Sequence, residues 1–291
     1  MQGCTARPVA ASGLKTLVSG NDHSQPPTSM KNLFASFAML SVLFLFSCKK
    51  DEKITPTPLA PHKPLIASAK TTDGYTVELM GDTNVLFTGY NKLYFQIKDA
   101  AGQLVTNATP EVTPLMDMIT MSHSTPHDAV QWNSSENLYS SAATFIMPTT
   151  PDGSWYLSVK IAGNTTKMPV TVKDYPTKVL NSAKGSDSVF YYAALVRPKA
   201  WTVGMNDITF AVYKKEGMMD FPAATDLTLQ MTPEMPSMGH GSPNNVAPTS
   251  IGNGLYKGRV NFTMTGDWRI HLKLSRNGSE IVNDLPLDIL F

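Results

Sequence analysis

Two short stretches of the chain concentrate donor atoms. Met118-Ile-Thr-Met121-Ser-His123 and Met235-Pro-Ser-Met238-Gly-His240 both read Met-x-x-Met-x-His. Each offers two thioether sulfurs and one imidazole nitrogen. Thioethers are soft ligands and imidazole suits copper, so such a set fits Cu(I) without an oxidisable thiol. Met116 and His127 flank the first stretch and Met231 the second. In an extended chain Met238 and His240 point one way and Met235 the other. Pro236 and Gly239 are the residues that would bend this loop and bring the three together. Packing is the competing reading. Methionine fills irregular gaps in cores, and His123 and His240 would then be polar rim residues.

No other constellation carries chemistry. There is no Gly-x-Ser-x-Gly elbow, no Gly-rich phosphate loop and no His-Glu-x-x-His. The acidic residues are scattered without an evident acid/base pair, so the chain is not expected to be an enzyme. Trp155 and Trp268 follow turns and read as core. Met147 and Met264 read as core positions within strands, His271 as a surface position and His62 as part of a tether.

These residues need a folded frame, and the composition provides for one. The 291 residues are 42% apolar and 16% charged, which excludes wholesale disorder. A net charge of +1 leaves no footprint for nucleic acid. Two cysteines exclude a Cys₄ zinc site and a disulfide scaffold.

The body alternates apolar and polar residues with period 2 between clusters of Gly, Pro, Asn and Asp, as in 155–161, 208–213 and 268–274. No long stretch has a helical period, so the expected class is all-β. The chain also repeats itself. Gly89-Tyr-Asn91 matches Gly204-Met-Asn206, and Met118…His123 matches Met235…His240. Leu138-Tyr139 matches Leu255-Tyr256, and Phe145-Ile-Met147 matches Phe262-Thr-Met264. Trp155 and Trp268 follow after a length difference. Each copy has the size of an immunoglobulin-like β-sandwich. The expected domains are 67–173 and 189–291, joined by a polar connector at 174–188.

The N-terminal part reads as an address. Met30-Lys31 starts a charged segment, followed by a 15-residue uncharged, mostly apolar run over 33–47. That run is short for a spanning helix, which needs about 20 residues, and fits a secretory h-region. Leu45-Phe-Ser-Cys48 resembles a bacterial lipobox, implying cleavage after 47 and lipidation of Cys48. Met30 reads as the true initiator. Lys49-Lys-Asp-Glu52 resembles the export signal of Bacteroidetes lipoproteins, and 48–66 is a Pro-rich tether. The expectation is a membrane-anchored envelope lipoprotein, at the outer membrane. Beyond Cys48 no thiol remains, as suits an oxidising compartment.

The second copy carries a recognisable pattern. Met235-Pro-Ser-Met-Gly-His240, Gly254-Leu-Tyr256 and Met264-Thr-Gly-Asp-Trp268 resemble the YtkA-like family over about 229–274. The family's small extracytoplasmic β-sandwiches often occur near copper-handling and oxidase-assembly proteins. The first copy departs from the pattern at Leu115, Asp117 and Ser154-Trp155. The resemblance implies the sandwich fold and, loosely, a copper-handling or oxidase-assembly partner. Two functions follow: a lipid-anchored, non-catalytic copper binder using Met118, Met121, His123, Met235, Met238 and His240, or a metal-free scaffold with Met-rich contact loops.

Overall fold

Along Gly153–Ile161 alternate side chains are buried, starting with Gly153 and Trp155, and this period-2 burial recurs in the inner strands of both cores. The computed structural model describes residues 63–291. The signal-like run, Cys48, His62 and the tether up to 62 lie outside the described residues. Among the described residues regular structure is all strand.

The first sandwich comprises β1 (Leu65–Lys70), β2 (Thr76–Met80), β3 (Leu86–Phe87), β4 (Gly89–Lys98), β5 (Glu111–Met118), β6 (Ser122–Ser124), β7 (Gln131–Asn133), β8 (Leu138–Phe145), β9 (Gly153–Ile161), β10 (Asn164–Val170) and β11 (Val172–Lys173). The second comprises β12 (Leu180–Lys184), β13 (Phe190–Val196), β14 (Gly204–Lys215), β15 (Thr228–Met235), β16 (His240–Gly241), β17 (Val246–Gly252), β18 (Leu255–Phe262), β19 (Asp267–Arg276) and β20 (Ser279–Leu290).

One sheet of the first sandwich runs β1-β2-β4-β8-β7 and the other β10-β9-β5-β6. The second sandwich repeats both orders, as β12-β13-β14-β18-β17 and β20-β19-β15-β16. The repeat read from the sequence is thus a repeat of topology. Its anchors recur atom for atom. The Asn91 side chain accepts from Phe87 N–H at 3.1 Å and donates to the Phe87 and Gly89 carbonyls. Asn206 does the same with Thr202 and Gly204. Tyr139 Oη accepts from Ala108 N–H at 2.8 Å, and Tyr256 Oη from Leu227 N–H at 3.2 Å. The first sandwich adds a short parallel pair, β3 with β11.

Each sandwich has its own core. Trp155, Phe145, Tyr139 and Phe95 centre the first, and Trp268, Phe262, Tyr256 and Phe210 the second. Fully burying side chains of this size stabilises by about 1.5–3 kcal/mol each. β12 lies inside the polar stretch assigned above to a connector. It is an edge strand with little burial, so its composition carries no apolar alternation. β1 likewise begins at Leu65, inside the stretch assigned to the tether.

Hairpin turns differ in quality between the copies. The β19–β20 turn uses Asn277 and Gly278, with φ of 49° and 80°. The β9–β10 turn uses Ala162 and Gly163, with φ of 47° and 87°. Both are turns that need positive φ at two residues, which asparagine adopts at lower cost than alanine. Ala162→Asn is expected to stabilise the protein by about 0.5–1 kcal/mol, seen as a higher urea midpoint with an unchanged slope.

The two sandwiches meet around Tyr90, Asp128, Thr144 and Tyr213. Burial, then the nearby Asp128 charge, pushes Tyr90 up to about 12. Burial also raises Asp128, partly offset by His127. An aspartate whose folded value is raised binds a proton more readily when folded. Its destabilising charge is therefore absent below the unfolded value, near 3.9, and grows as pH rises above it. Asp128→Asn is expected to raise the unfolding midpoint at pH 7 and leave it unchanged at pH 3, as measured by thermal scans at both values.

Candidate metal centres of methionine and histidine

Hairpin register decides which donors meet. β5 and β6 pair Met116 with His123, and β15 and β16 pair Met235 with His240. Directly opposed residues of antiparallel strands put side chains on one face, with Cβ atoms about 4.5–5.5 Å apart. A thioether and an imidazole are therefore neighbours at the same edge of both sandwiches.

This corrects the alignment made on Met-x-x-Met-x-His. The counterpart of Met235 is Met116, not Met118, and the loop to the histidine is two residues longer in the first copy. Met116 is fully buried. The sequence did contain the pointer: Thr113-Pro-Leu-Met116 and Thr232-Pro-Glu-Met235 share Thr-Pro-x-Met, and both end at this position.

The floor is also duplicated. A Cβ on Gly153 would land on the Cε methyl of Met116, and one on Gly266 on the Cε methyl of Met235. Each glycine lies two residues before its tryptophan. Met118 packs over the same Gly153, with its Cγ at 3.5 Å from that Cβ position. Gly266 has φ +140°, so a side chain there would be strained as well as crowded. Gly266→Ala is expected to destabilise by about 1–3 kcal/mol through overpacking, and by more than Gly153→Ala, in denaturant titrations.

The histidines are held alike. His123 Nδ1 lies 2.8 Å from the Ser124 carbonyl and His240 Nδ1 2.9 Å from the Gly241 carbonyl. His127 Nδ1 lies 2.8 Å from the Thr125 carbonyl. A carbonyl only accepts, so Nδ1 carries the hydrogen and the neutral ring keeps its bare lone pair on Nε2. A backbone carbonyl orienting a ring in this way is the usual outer partner of a metal-binding histidine. His123 stands edge-on to Trp155 at 5.4 Å, and His240 edge-on to Trp268 at 5.8 Å. His123 is 4% exposed and His240 half-buried.

The remaining donors sit apart. Met121 is 48% exposed and Met238 61% exposed, both on loop tips. In the second loop, Met238 and Gly239 N–H donate to the Met235 carbonyl at 3.1 and 2.9 Å. Asp267 holds that loop by accepting from Ser237 N–H and Oγ–H, and the Ser237 hydroxyl keeps its carboxyl below the usual range. This explains the Gly-Asp-Trp signature. In the first copy, where Ser154 stands in that place, Asp117 bonds Ser122 instead at 2.9 Å and its carboxyl is lowered in the same way.

Other expectations need correcting. Met264 is not in the core: β18 ends at Phe262, and Met264 is 37% exposed in the following turn. Its carbonyl accepts from Trp268 Nε1–H at 2.9 Å. Met147 follows β8, half-buried against the first core, and its carbonyl accepts from Trp155 Nε1–H at 3.0 Å. His271 does lie at the surface of β19, as read from the sequence, flanked by carboxylates with Nε2 2.9 Å from Glu234 and Nδ1 3.0 Å from Asp284. Among the described residues no three His, Cys, Asp or Glu side chains form a metal-holding group.

Fold and site together define a tandem β-sandwich protein with a duplicated methionine–histidine edge. Residues 188–273, within the second sandwich, match the YtkA-like family, consistent with a YtkA-like domain in the C-terminal part. The first sandwich lies outside the matched residues but has the same strand order. No curated protein matches the sequence. Solved structures give distant likenesses. The Escherichia coli adhesin FdeC is 15% identical, with 77% of this chain and 66% of that one covered and a TM-score of 0.27. The Yersinia pseudotuberculosis adhesin InvE is 13% identical, with 73% and 58% covered and a TM-score of 0.26. Domains 5–6 of the S-layer protein SbsC are 12% identical, with 79% and 99% covered and a TM-score of 0.28. The chain spans less than two thirds of the length of either adhesin.

Proposed function

We propose that this is a non-catalytic, lipid-anchored envelope protein of the outer membrane that binds Cu(I) at its methionine–histidine edges and passes it to a copper-handling or oxidase-assembly protein. The observation that supports it is the twofold occurrence of one arrangement: a histidine fixed through Nδ1, its Nε2 lone pair bare, opposite a thioether. Nε2 of His123 with the sulfurs of Met116 and Met118 would serve the first edge. Nε2 of His240 with Met235 would serve the second, and Met121 and Met238 would have to swing in from the exposed loop tips to reach the metal. Soft sulfur and neutral imidazole suit Cu(I).

A competition titration of the full chain against a Cu(I) chelator tests this, beside a variant with Met118, Met121, His123, Met238 and His240 changed to alanine and the buried Met116 and Met235 changed to leucine. Tight binding of one or two equivalents is expected, weakened at least a hundredfold in the variant. Absence of binding by the unaltered chain refutes the proposal.

One observation favours a second reading, a metal-free scaffold or interaction module in an envelope complex. Met116 and Met235 are buried in the cores, so their sulfurs already have packing partners. Exposed Met121, Met238, Met218 and Met219 would then form an adaptable apolar contact surface.

A further inference from the structure

We propose that a cleft where the two sandwiches meet is a binding site for a small oxyanion, a carboxylate or phosphate group. The cleft measures about 530 Å³, within the range of about 300–1,000 Å³ typical of small-molecule sites. It shares no residue with the methionine–histidine edges and does not depend on copper.

Arg197, just past β13, is its key residue. The guanidinium carbon lies 4.2 Å from the Tyr175 ring centre and 5.8 Å from that of Phe87. Nη2 donates to the Tyr90 carbonyl at 3.4 Å. Nη1 is shut off from solvent and has no hydrogen-bond partner among the described residues. A buried donor left unmet costs about 1–3 kcal/mol, and more when charged. An interdomain staple would account for the ring stacking and for Nη2. It leaves Nη1 without a hydrogen-bond partner among the described residues.

The rest of the cleft has the matching sign. It is lined by Lys63, Lys92, Arg197 and Lys199 against a single carboxylate, Asp82. Lys63 is already engaged, 3.7 Å from Asp82, 3.6 Å from Glu136 and 3.6 Å above the Tyr94 ring. Lys92 and Lys199 are exposed and make no ion pair among the described residues, so the cations of the cleft exceed its one carboxylate. Burial pulls the Arg197 guanidinium below its usual value, with Tyr175 and Asp82 acting the other way. The guanidinium fork matches carboxylate and phosphate geometry.

The test is thermal unfolding of the full chain with inorganic phosphate, benzoate or neutral benzamide, at an ionic strength held constant with chloride. A saturable rise in midpoint is expected with phosphate or benzoate and not with benzamide. Response to phosphate alone identifies a phosphate group as the ligand, and response to benzoate alone a carboxylate. Arg197→Gln is expected to weaken the response at least tenfold. Lys92→Gln with Lys199→Gln is expected to weaken it several-fold, and decides the matter if Arg197→Gln does not fold. No saturable shift with either anion, or shifts unchanged in the folded variants, overturns the site.

Discussion

Changing Met116 and Met235 together to leucine is expected to lower Cu(I) affinity at both edges by at least tenfold while leaving the fold nearly as stable. Leucine conserves the apolar volume, and such swaps in cores cost less than about 1.5 kcal/mol. The sulfur is what disappears. This separates the two roles that the structure superimposes on these residues: both are buried, and both stand opposite a histidine. A paired chelator titration and denaturant melt measure it. Unchanged copper affinity in the leucine variant removes both sulfurs from the ligand set and leaves them as packing. The exposed Met121 and Met238 are expected to contribute less: changing them to leucine should weaken copper binding only a few-fold.

Trp268→Ala is expected to destabilise the second sandwich by about 3–5 kcal/mol, the usual cost of emptying a tryptophan site in a core. Trp268 is 1% exposed, tilted against Phe262 at 5.2 Å and edge-on to His240. Trp268→Phe keeps much of the ring but removes the donor to the Met264 carbonyl. It should cost about 1–3 kcal/mol, the penalty for an unpaired polar group. Urea melts of the two variants give both numbers. If Trp268→Phe costs nothing, the indole hydrogen bond does not anchor the turn.

Much of this architecture is legible in the residues, and the failures have physical causes. Period-2 burial needs only local alternation, so the inner strands such as β9 and β19 can be read directly. The repeat is legible because Gly-x-Asn, Leu-Tyr and Phe-x-Met fall at strand starts and ends whose geometry both copies need. The methionine pairing was misread because Met118 and Met121 reproduce the spacing of Met235 and Met238 by coincidence. Cross-strand register singles out Met116, and the shared Thr-Pro-x-Met context is the sequence pointer that the more conspicuous spacing obscures. β12 was hidden because an edge strand can be polar on both faces. Met264 was misplaced because the strand stops at Phe262, where the next turn must offer a carbonyl to Trp268. Arg197 had no local signature at all: its unmet Nη1 exists only once Phe87, Tyr90 and Tyr175 close around it.

The junction between the sandwiches behaves as a splint. Thr88 N–H donates to the Lys173 carbonyl, Thr88 Oγ1 donates to Asp174 and accepts from Tyr175 N–H. Asp288 N–H then takes the Lys178 carbonyl, and Leu195 N–H the Val179 carbonyl. A protease must draw a run of several extended residues into its cleft, and here the backbone is tied to one sandwich or the other at Lys173, Tyr175, Lys178 and Val179. Trypsin therefore faces two lysines, Lys173 and Lys178, that it can cut only after prising the junction open.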